Sequence, residues 1–496
     1  MKQIKNTPWF LILLVLFFVV HGSVENFGFI YFTEVVKIGF TILGVVLLFF
    51  LITRIFIKNK IHSALVVFFI SAWILFFGAI FDFVKAIHFL HFLHSYTIFV
   101  PFMFITFVAF ILFIRKRTAL QNKLCFYLNV LLLIYCVYDI AVLSIKAVAT
   151  NKQNIAGTIH FDTALVKAKP NVYLLLFDEY PGYKSLKDSF AFANDSLYHF
   201  FENKGFTMLP TFSNYNMTYY SMSSMLNMQY IDKPFVPLSN TYENDQQRIK
   251  EIKNAAVVKC FTGMGYRFVN YSIFDIADQP SDKNNSFVVS QATLLTNKIF
   301  FNKILKDIGW HFISGKYGIP FIKNIYMEDD RHNKYVEEKL TADKPVAPSS
   351  PQFLYAHLLI PHPPMFCDSM GNYLPVEQIF DPQTSANKPF FLSYIKYANK
   401  KMESMVNAII KNDPSAIVMV MSDHGYRDYN IGDRTEPLHF NNICAVRFPN
   451  NNYGVHQKES RSNVNVFPYL FNCQFNQKIP YLADSSIFLR DKKIEE

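Results

Sequence analysis

Apolar residues follow two different patterns along this chain of 496 residues. In the first 150 residues they form long runs with few charges, at about 8–24, 35–57, 62–82, 97–114 and 124–146. A helix needs about 20 mostly apolar residues to cross a bilayer, so each run predicts a membrane span. Later apolar runs are short and alternate with polar segments, as in globular domains. We therefore predict a transmembrane domain over 1–150, a linker over 151–170 and a second domain over 171–490.

The orientation of the chain follows from its positive charges, because short loops rich in Lys and Arg mark the cytoplasmic side. Such Lys and Arg residues lie before the first apolar run, between the second and third runs, and between the fourth and fifth runs. They are Lys2, Lys5, Arg54, Lys58, Lys60, Arg115, Lys116, Arg117 and Lys123. The first run is not followed by a small-residue cleavage site, so we interpret it as a retained anchor. We expect a multi-pass protein of the bacterial inner (plasma) membrane whose second domain lies outside the cytoplasm.

Short apolar runs in the second domain predict buried strands at 171–177, 353–360, 416–421 and 442–448, with another near 266–272. Helical patterns lie between them, at about 188–204, 244–264, 290–311 and 390–412. Strands that alternate with helices are typical of a mostly parallel sheet covered by helices. We therefore predict an α/β fold for this domain.

Polar residues with metal-binding chemistry follow three of these strands. They are Asp178 and Glu179 after the first, His362 in a proline-rich turn after the second, and Asp423 and His424 after the third. The carboxyl ends of parallel strands meet at one edge of a sheet, where open α/β folds bind their ligands. Carboxylates and imidazoles are ligands of zinc and manganese, so the pattern predicts a divalent metal, zinc or manganese.

Thr218 is a candidate nucleophile, because it stands between a polar loop and a short helical pattern at 219–227. The start of a helix favours anions, and a bound metal lowers the pKa of a hydroxyl. His439, just before the strand at 442–448, is a further candidate. Each residue also has an ordinary structural interpretation: Thr218 and Asp423 as helix caps, Asp178 and Glu179 as a solvated turn. Convergence on one sheet edge favours a common site.

Charge and cysteine content exclude some other classes of function. The net charge is +10, but no basic stripe or Arg-rich helix accompanies it, so nucleic acid is not an expected partner. An anionic membrane surface is the expected partner of this charge. The six cysteines contain no CxxC pair, which argues against a zinc ribbon or a thioredoxin-type site.

In this order, the motifs resemble those of the alkaline phosphatase superfamily. The closest resemblance is to its sulfatase-like branch, which includes lipid-headgroup transferases for phosphoethanolamine and glycerol phosphate. The nucleophile pattern T-x-x-S-x-x-x-M is met by Thr218, Ser221 and Met225, and the metal motif D-H-G by residues 423–425. Those transferases have five membrane spans followed by an extracytoplasmic catalytic domain, which matches the predicted organisation over nearly the whole chain.

The resemblance implies roles for the candidate residues. Glu179, with Asp178 beside it, corresponds to the first metal-binding acid; further ligands are Asp423, His424 and Thr218. Thr218 is also the nucleophile that would form a phosphothreonine, while His362 and His439 would contact phosphate or protonate the leaving group. The implied activity is a membrane-anchored, metal-dependent phosphotransferase. It would move a phospho-headgroup from a membrane lipid to a sugar or other hydroxyl acceptor.

Two departures from the family patterns keep alternatives open. The segment from Thr218 to Met222 does not read C/S-x-P-x-R, so a formylglycine sulfatase is disfavoured. Tyr426-Arg427-Asp428 replaces the E-S-x-G-E-type continuation of ethanolamine-phosphate transferases, which leaves the headgroup open. One alternative is a hydrolase of the same fold: a phosphodiesterase, phosphatase or sulfuric ester hydrolase. Another is a non-catalytic membrane protein that uses the second domain for binding or sensing. A transporter is disfavoured, because the spans carry almost no charge.

Overall fold

The computed structural model describes residues 7–27, 30, 32–150, 161–231, 242–282, 291–309, 327–342, 350–385, 387–427, 436–454, 459 and 461–489. Lys2, Lys5, Asp428 and the first half of the predicted linker lie outside these ranges. The chain forms two compact units. Unit 1 comprises residues 1–155 and 289–311, and unit 2 comprises residues 156–288 and 312–496.

The helices of the described ranges, in chain order, are α1 Phe10–Glu25, α2 Phe32–Phe56, α3 Lys60–Lys85, α4 Tyr96–Ile114, α5 Thr118–Thr150, α6 Tyr183–Phe190, α7 Asp195–Asn203, α8 Thr218–Asn227, α9 Tyr242–Lys253, α10 Ala256–Gly263, α11 Gln291–Thr296, α12 Phe300–Ile308, α13 Glu328–Thr341, α14 Val376–Ile379, α15 Pro382–Ser385, α16 Lys388–Asn412, α17 Glu436–Phe440 and α18 Val466–Gln474. The strands are β1 Val172–Phe177, β2 Thr207–Met208, β3 Thr211–Phe212, β4 Arg267–Tyr271, β5 Gln352–Leu358, β6 Ile417–Met421, β7 Cys444–Arg447 and β8 Arg461–Ser462.

Within the part of unit 1 that the structure describes, four helices, α2 to α5, are long and apolar enough to cross a membrane. Large apolar side chains on α2 are exposed, for example Phe40 at 72% and Phe56 at 81%, as expected of residues that face lipid. Helix α1 is equally apolar but has only 16 residues. At 1.5 Å per residue it is about 24 Å long, shorter than the hydrocarbon core of about 30 Å. The predicted membrane helices are confirmed for α2 to α5, and α1 as a fifth span stays a prediction.

Unit 1 also includes α11 and α12, which lie between β4 and β5 in the sequence and fall within the stretch predicted to be helical at 290–311. This segment packs closely on α3. The Gly78 N–H donates to the Lys298 carbonyl at 2.7 Å, and a Cβ at Gly78 would lie 2.9 Å from the Lys298 backbone. Nearby, the Lys303 ammonium lies 3.5 Å from Asp82 on α3. Gly78 is therefore required here because two backbones meet.

Unit 2 is built on a six-stranded sheet with the order β2-β7-β6-β1-β5-β4. Strand β1 is parallel to both of its neighbours, β5 and β6, and β4 is parallel to β5. Strand β7 is antiparallel to β6 and β2. The side chains of β1 alternate between two apolar cores, one on each face of the sheet. Burial on both faces explains why its sequence is continuously apolar, and the predicted mostly parallel α/β fold is confirmed.

Three of the predicted helices are divided in the structure, and of these the pattern at 290–311 forms α11 and α12. The pattern at 188–204 forms two helices, α6 and α7, because Ala191 adopts a left-handed conformation with φ 52° and ends the first. The pattern at 244–264 also forms two, α9 and α10, because Ala255 between them has a non-helical backbone with φ −43° and ψ 122°. In both places apolar residues continue at helical spacing while the backbone turns, so periodicity alone could not reveal the break.

Candidate active site

The carboxyl ends of β1, β5 and β6 bring the predicted site residues together. Because β1 lies between the other two strands, the residues after it face both neighbouring turns. The Asp178 N–H donates to the Leu358 carbonyl at the end of β5, at 2.9 Å. The Glu179 N–H donates to Oδ1 of Asp423 after β6, at 3.1 Å. Glu179 has a left-handed φ of 63°, a conformation that costs a non-glycine residue about 1–3 kcal/mol. The turn after β1 therefore holds Glu179 in a strained backbone conformation.

Asp178, Thr218, Asp423 and His424 form a buried group that we call the aspartate cluster. One ligand atom from each of Asp178, Asp423 and His424 lies within 4.8 Å of the others. Thr218 Oγ1 lies 3.2 Å from Nε2 of His424. Nδ1 of the same imidazole lies 2.7 Å from the Gly425 carbonyl and must donate to it, since a carbonyl only accepts. Nε2 therefore turns its lone pair toward the carboxylates and Thr218.

The aspartate cluster fits a divalent metal. Its four side chains are at most 3% exposed. Burial raises the pKa of Asp423 and lowers that of His424 well below its usual range, so the imidazole is neutral and does not offset the carboxylates. Buried carboxylates are costly unless they are paired or bind a cation. Carboxylate oxygens with one imidazole nitrogen and a hydroxyl are donors that suit zinc or manganese.

The predicted nucleophile lies at the start of a helix, because α8 begins at Thr218. Ser221, one turn later, donates through Oγ to the Asp423 carbonyl at 2.6 Å. Asn463 donates to the same carbonyl at 2.8 Å. A hydrogen bond from the serine of the T-x-x-S motif to the backbone carbonyl of the D-H-G aspartate thus joins the two motifs. This bond explains why the serine accompanies the threonine.

His439 contributes its backbone to the D-H-G turn. The Gly425 N–H donates to the His439 carbonyl at 2.8 Å, and a Cβ at Gly425 would lie 2.1 Å from the Leu438 carbonyl oxygen, so only glycine fits there. The imidazole of His439 packs on Phe488, with ring centroids 5.4 Å apart. Burial and the Arg427 charge lower the pKa of His439 to about 4. Among the described residues, neither group that could hold a metal includes His439.

Glu179, His362 and Arg427 form a second group, the arginine cluster. The Arg427 backbone N–H donates to Oε1 of Glu179 at 2.5 Å. The guanidinium Nη2 of Arg427 lies 3.7 Å from Oε2 of Glu179. Nη2 also lies 3.2 Å from Nε2 of His362. Because Nδ1 of His362 donates to the Pro363 carbonyl at 2.5 Å, Nε2 accepts from the guanidinium. Together with Asp178, the Glu179 and His362 side chains form a further set that could hold a metal.

The structure gives the two neighbouring acids overlapping sets of partners. Asp178 shares one group with Asp423 and His424 and a second with Glu179 and His362, and Glu179 also pairs with Arg427. Two residues of the site were missed in the sequence, Arg427 and His357. Arg427 is separated from the D-H-G glycine by one residue, which could have indicated it. His357 lies inside β5 with Nε2 3.3 Å from Oδ2 of Asp178, and a histidine within a buried apolar strand is the signal that could have found it.

Comparisons with known proteins find solved structures that are similar to this one. No family model and no curated protein matches the sequence. Similar solved structures include the C-terminal periplasmic domain of EptC from Escherichia coli in complex with Zn, at 10% identity over 67% of this chain and 89% of that chain, with a TM-score of 0.39. They also include a phosphonate monoester hydrolase from Silicibacter pomeroyi, at 15% identity over 64% and 75%, TM-score 0.37. A third is a putative sulfatase from Bacteroides fragilis, at 11% identity over 63% and 75%, TM-score 0.36.

Proposed function

We propose that this protein is a membrane-anchored, metal-dependent phosphotransferase of the alkaline phosphatase superfamily. It would move a phospho-headgroup from a membrane lipid to a sugar or other hydroxyl acceptor through a phosphothreonine at Thr218. The observation that carries the proposal is the position of Thr218, whose Oγ1 lies 3.2 Å from His424 in the aspartate cluster. The apolar helices of unit 1 support a donor that resides in the membrane. We retain five spans and a site outside the cytoplasm as part of this proposal.

Zinc or manganese would be held by Asp178, Asp423 and His424, with Thr218 and Glu179 as further donors. When bound, the ion would lower the pKa of the threonine hydroxyl and neutralise charge on the phosphoryl group. The proposed ligands are all side chains of the carboxyl edge of the sheet or of the start of α8. The donor atoms of Asp178, Asp423 and His424 lie within 4.8 Å of one another, as ligands of a single ion would.

The protein's own residues supply the remaining chemistry. Thr218 Oγ would attack phosphorus as the bond from phosphorus to the lipid glycerol oxygen breaks, and the proton lost by the threonine is matched by the one gained by the leaving hydroxyl. The N–H groups of the first turn of α8, which begins at Thr218, would favour the anionic oxygens of the transferred group. Arg427 would neutralise a non-bridging oxygen, and His439 and a protonated His362 would hydrogen-bond to phosphate or to the leaving oxygen. An acceptor hydroxyl would then attack the phosphothreonine in the reverse sense.

The test is mass spectrometry of the peptide that contains Thr218 after the purified full-length protein has been incubated with membrane lipid extract. We expect a covalent adduct on Thr218 whose mass identifies the transferred group. The variant T218V should form no adduct and release no headgroup, while T218S should retain some of both, because the hydroxyl remains. Undiminished headgroup release by T218V would contradict the proposal.

A second measurement separates transfer from hydrolysis. With a hydroxyl acceptor present, a transferase attaches the headgroup to the acceptor, whereas a hydrolase of the same fold releases it to water at the same rate with or without acceptor. Metal analysis of the purified protein separates both from a binding or sensing protein, since the enzyme should contain a stoichiometric divalent ion.

A further inference from the structure

A chain of buried hydrogen bonds runs from the sheet to Asp178. The Tyr355 hydroxyl lies 2.9 Å from Nδ1 of His357, and Nε2 of His357 lies 3.3 Å from Oδ2 of Asp178. All three side chains are completely buried. Tyr355 and His357 are both on β5, which pairs with β1 directly before Asp178. Two members of this chain therefore lie on a central strand, and the third directly follows the neighbouring strand.

The direction of each hydrogen bond from Tyr355 through His357 to Asp178 follows from the chemistry of the Asp178 carboxylate. A carboxylate accepts hydrogen bonds and does not donate, so Nε2 of His357 carries the hydrogen that faces Asp178. Nδ1 then has the lone pair and accepts from the Tyr355 hydroxyl. Burial holds the pKa of Tyr355 well above its usual range, which keeps that hydroxyl protonated and able to donate. Tyr355 thus selects the tautomer of His357 that suits Asp178.

The backbone of His357 is held as well. Nε2 of His332 on α13 lies 2.8 Å from the His357 carbonyl, and the His357 ring packs edge-on against Phe274 with centroids 5.7 Å apart. Side chain and backbone are therefore both fixed. A residue held in this way can orient another one with little freedom.

One oxygen of Asp178 is engaged by His357, and the other faces the aspartate cluster. Oδ1 of Asp178 lies 3.9 Å from Nε2 of His424. Rotation of the carboxylate about its Cβ–Cγ bond would turn both oxygens away from these partners. The His357 hydrogen bond to one oxygen fixes this rotation and so directs the other oxygen toward the aspartate cluster. Partners of this kind, one step beyond the metal ligands, are worth about 10–100-fold in metal affinity when mutated.

We propose that His357 is a positioning residue that, with its tautomer set by Tyr355, holds Oδ1 of Asp178 toward the metal site. The inference rests on the proposed metal-dependent function, and it adds a requirement that neither the D-H-G nor the T-x-x-S motif contains. It predicts that His357 acts on metal affinity through Asp178 and does not touch substrate.

The experiment measures Mn²⁺ affinity of the full-length protein in detergent by electron paramagnetic resonance, without substrate. H357L, which packs but cannot donate, should bind Mn²⁺ about 10–100-fold more weakly than the wild type. H357Q should restore most of the affinity, because its amide can present an N–H near the position of Nε2. Y355F should fall between them, because the imidazole is retained while its tautomer is no longer selected.

H62L serves as the matched control, since it removes a buried histidine of α3 that belongs to neither cluster; its Mn²⁺ affinity should stay close to that of the wild type. If H357L fails to fold, the Mn²⁺ affinities of H357Q and Y355F are compared instead, and H357Q should bind Mn²⁺ more tightly than Y355F. Equal affinity of wild type and H357L, or an H357Q variant as weak as H357L, would overturn the proposal. A wild type that binds no Mn²⁺ would overturn the metal site itself. A wild type that binds Mn²⁺ but forms no adduct on Thr218 would refute the transfer mechanism alone.

Discussion

The aspartate cluster and the arginine cluster lie at the same edge of the sheet and use the same kinds of side chain, yet they balance charge differently. In the aspartate cluster, Asp178 and Asp423 are completely buried beside a His424 imidazole that burial keeps neutral. In the arginine cluster, Glu179 faces the guanidinium of Arg427, whose side chain is 23% exposed.

The comparison shows how one site can divide two tasks. The buried carboxylates need a cation from outside, which suits a permanently bound metal. The arginine cluster carries its own cation on a partly exposed side chain, which suits an anionic group that must enter and leave. Each of the following experiments tests whether the two clusters are separable in this way.

The largest effect is expected from removing charge in the aspartate cluster. D423N should weaken metal binding by more than the roughly 100-fold typical of residues that only orient a ligand, because a ligand itself is lost. Chelator should abolish headgroup release by the wild type, and added zinc or manganese should restore it at concentrations that leave D423N inactive. The measurement is metal content together with headgroup release after dialysis.

D413N is the matched control for this experiment. Asp413 precedes the other end of β6, where Oδ2 accepts from Asn171 at 2.6 Å. Its replacement removes the same charge far from the cluster along the same strand, so metal content should not change. Full metal content in D423N would show that the aspartate cluster is not the metal site.

A smaller effect is expected in the arginine cluster. R427Q should lower kcat/KM for the lipid donor by about 10–100-fold, since hydrogen bonds to charged groups contribute about 1.5–3 kcal/mol. R427K should recover part of this loss, because the charge remains while the planar fork is lost. Metal content should be unchanged in both variants, which steady-state kinetics and metal analysis would show side by side.

R447Q is the control, because Arg447 on β7 donates to the carbonyls of Pro414 and Ala416 and has no place in either cluster. If R427Q lost its metal, the two clusters would have to be regarded as a single site. If it kept full activity, Arg427 would have no role toward the phosphoryl group.

The smallest effect concerns pH and His439. Burial and Arg427 lower the pKa of His439 from 6.5 to about 4, so folding favours the neutral imidazole. That stabilisation is complete above the unfolded pKa near 6.5 and is lost as pH falls toward 4. The melting temperature of the wild type should therefore fall between pH 7 and pH 4.5, and H439N should show a shallower fall. Parallel curves for the two proteins would contradict this assignment.

The local sequence predicted the parts of the site that lie close together along the chain. Asp178 and Glu179, His362, and the D-H-G turn each follow a short apolar run, and all three runs form strands of the one sheet. The start of α8 at Thr218 was predicted as well, because polar loop residues give way there to apolar residues at helical spacing. These features depend on a few residues that are adjacent in the sequence, so they can be predicted without knowledge of the fold.

Features that depend on contacts between distant segments could not be read in this way. Periodicity did not reveal the breaks at Ala191 and Ala255. It did not reveal that the segment 289–311 belongs to unit 1, because an amphipathic pattern does not identify the surface against which a helix packs. The antiparallel direction of β7 was equally hidden, since a buried strand has the same composition in either direction.

By itself, the sequence determined the membrane helices, the α/β class of unit 2 and most of the candidate ligands, because burial and bilayer thickness act on runs of adjacent residues. Only the tertiary structure decided which acid joins which cluster. It placed Asp178 with Asp423 and His424, turned Glu179 toward Arg427, and brought His357 against Asp178 from the neighbouring strand. The physical reason is that hydrogen bonds and charge pairing depend on distances of a few ångströms between atoms, and these distances are set by strand order and register rather than by position in the chain.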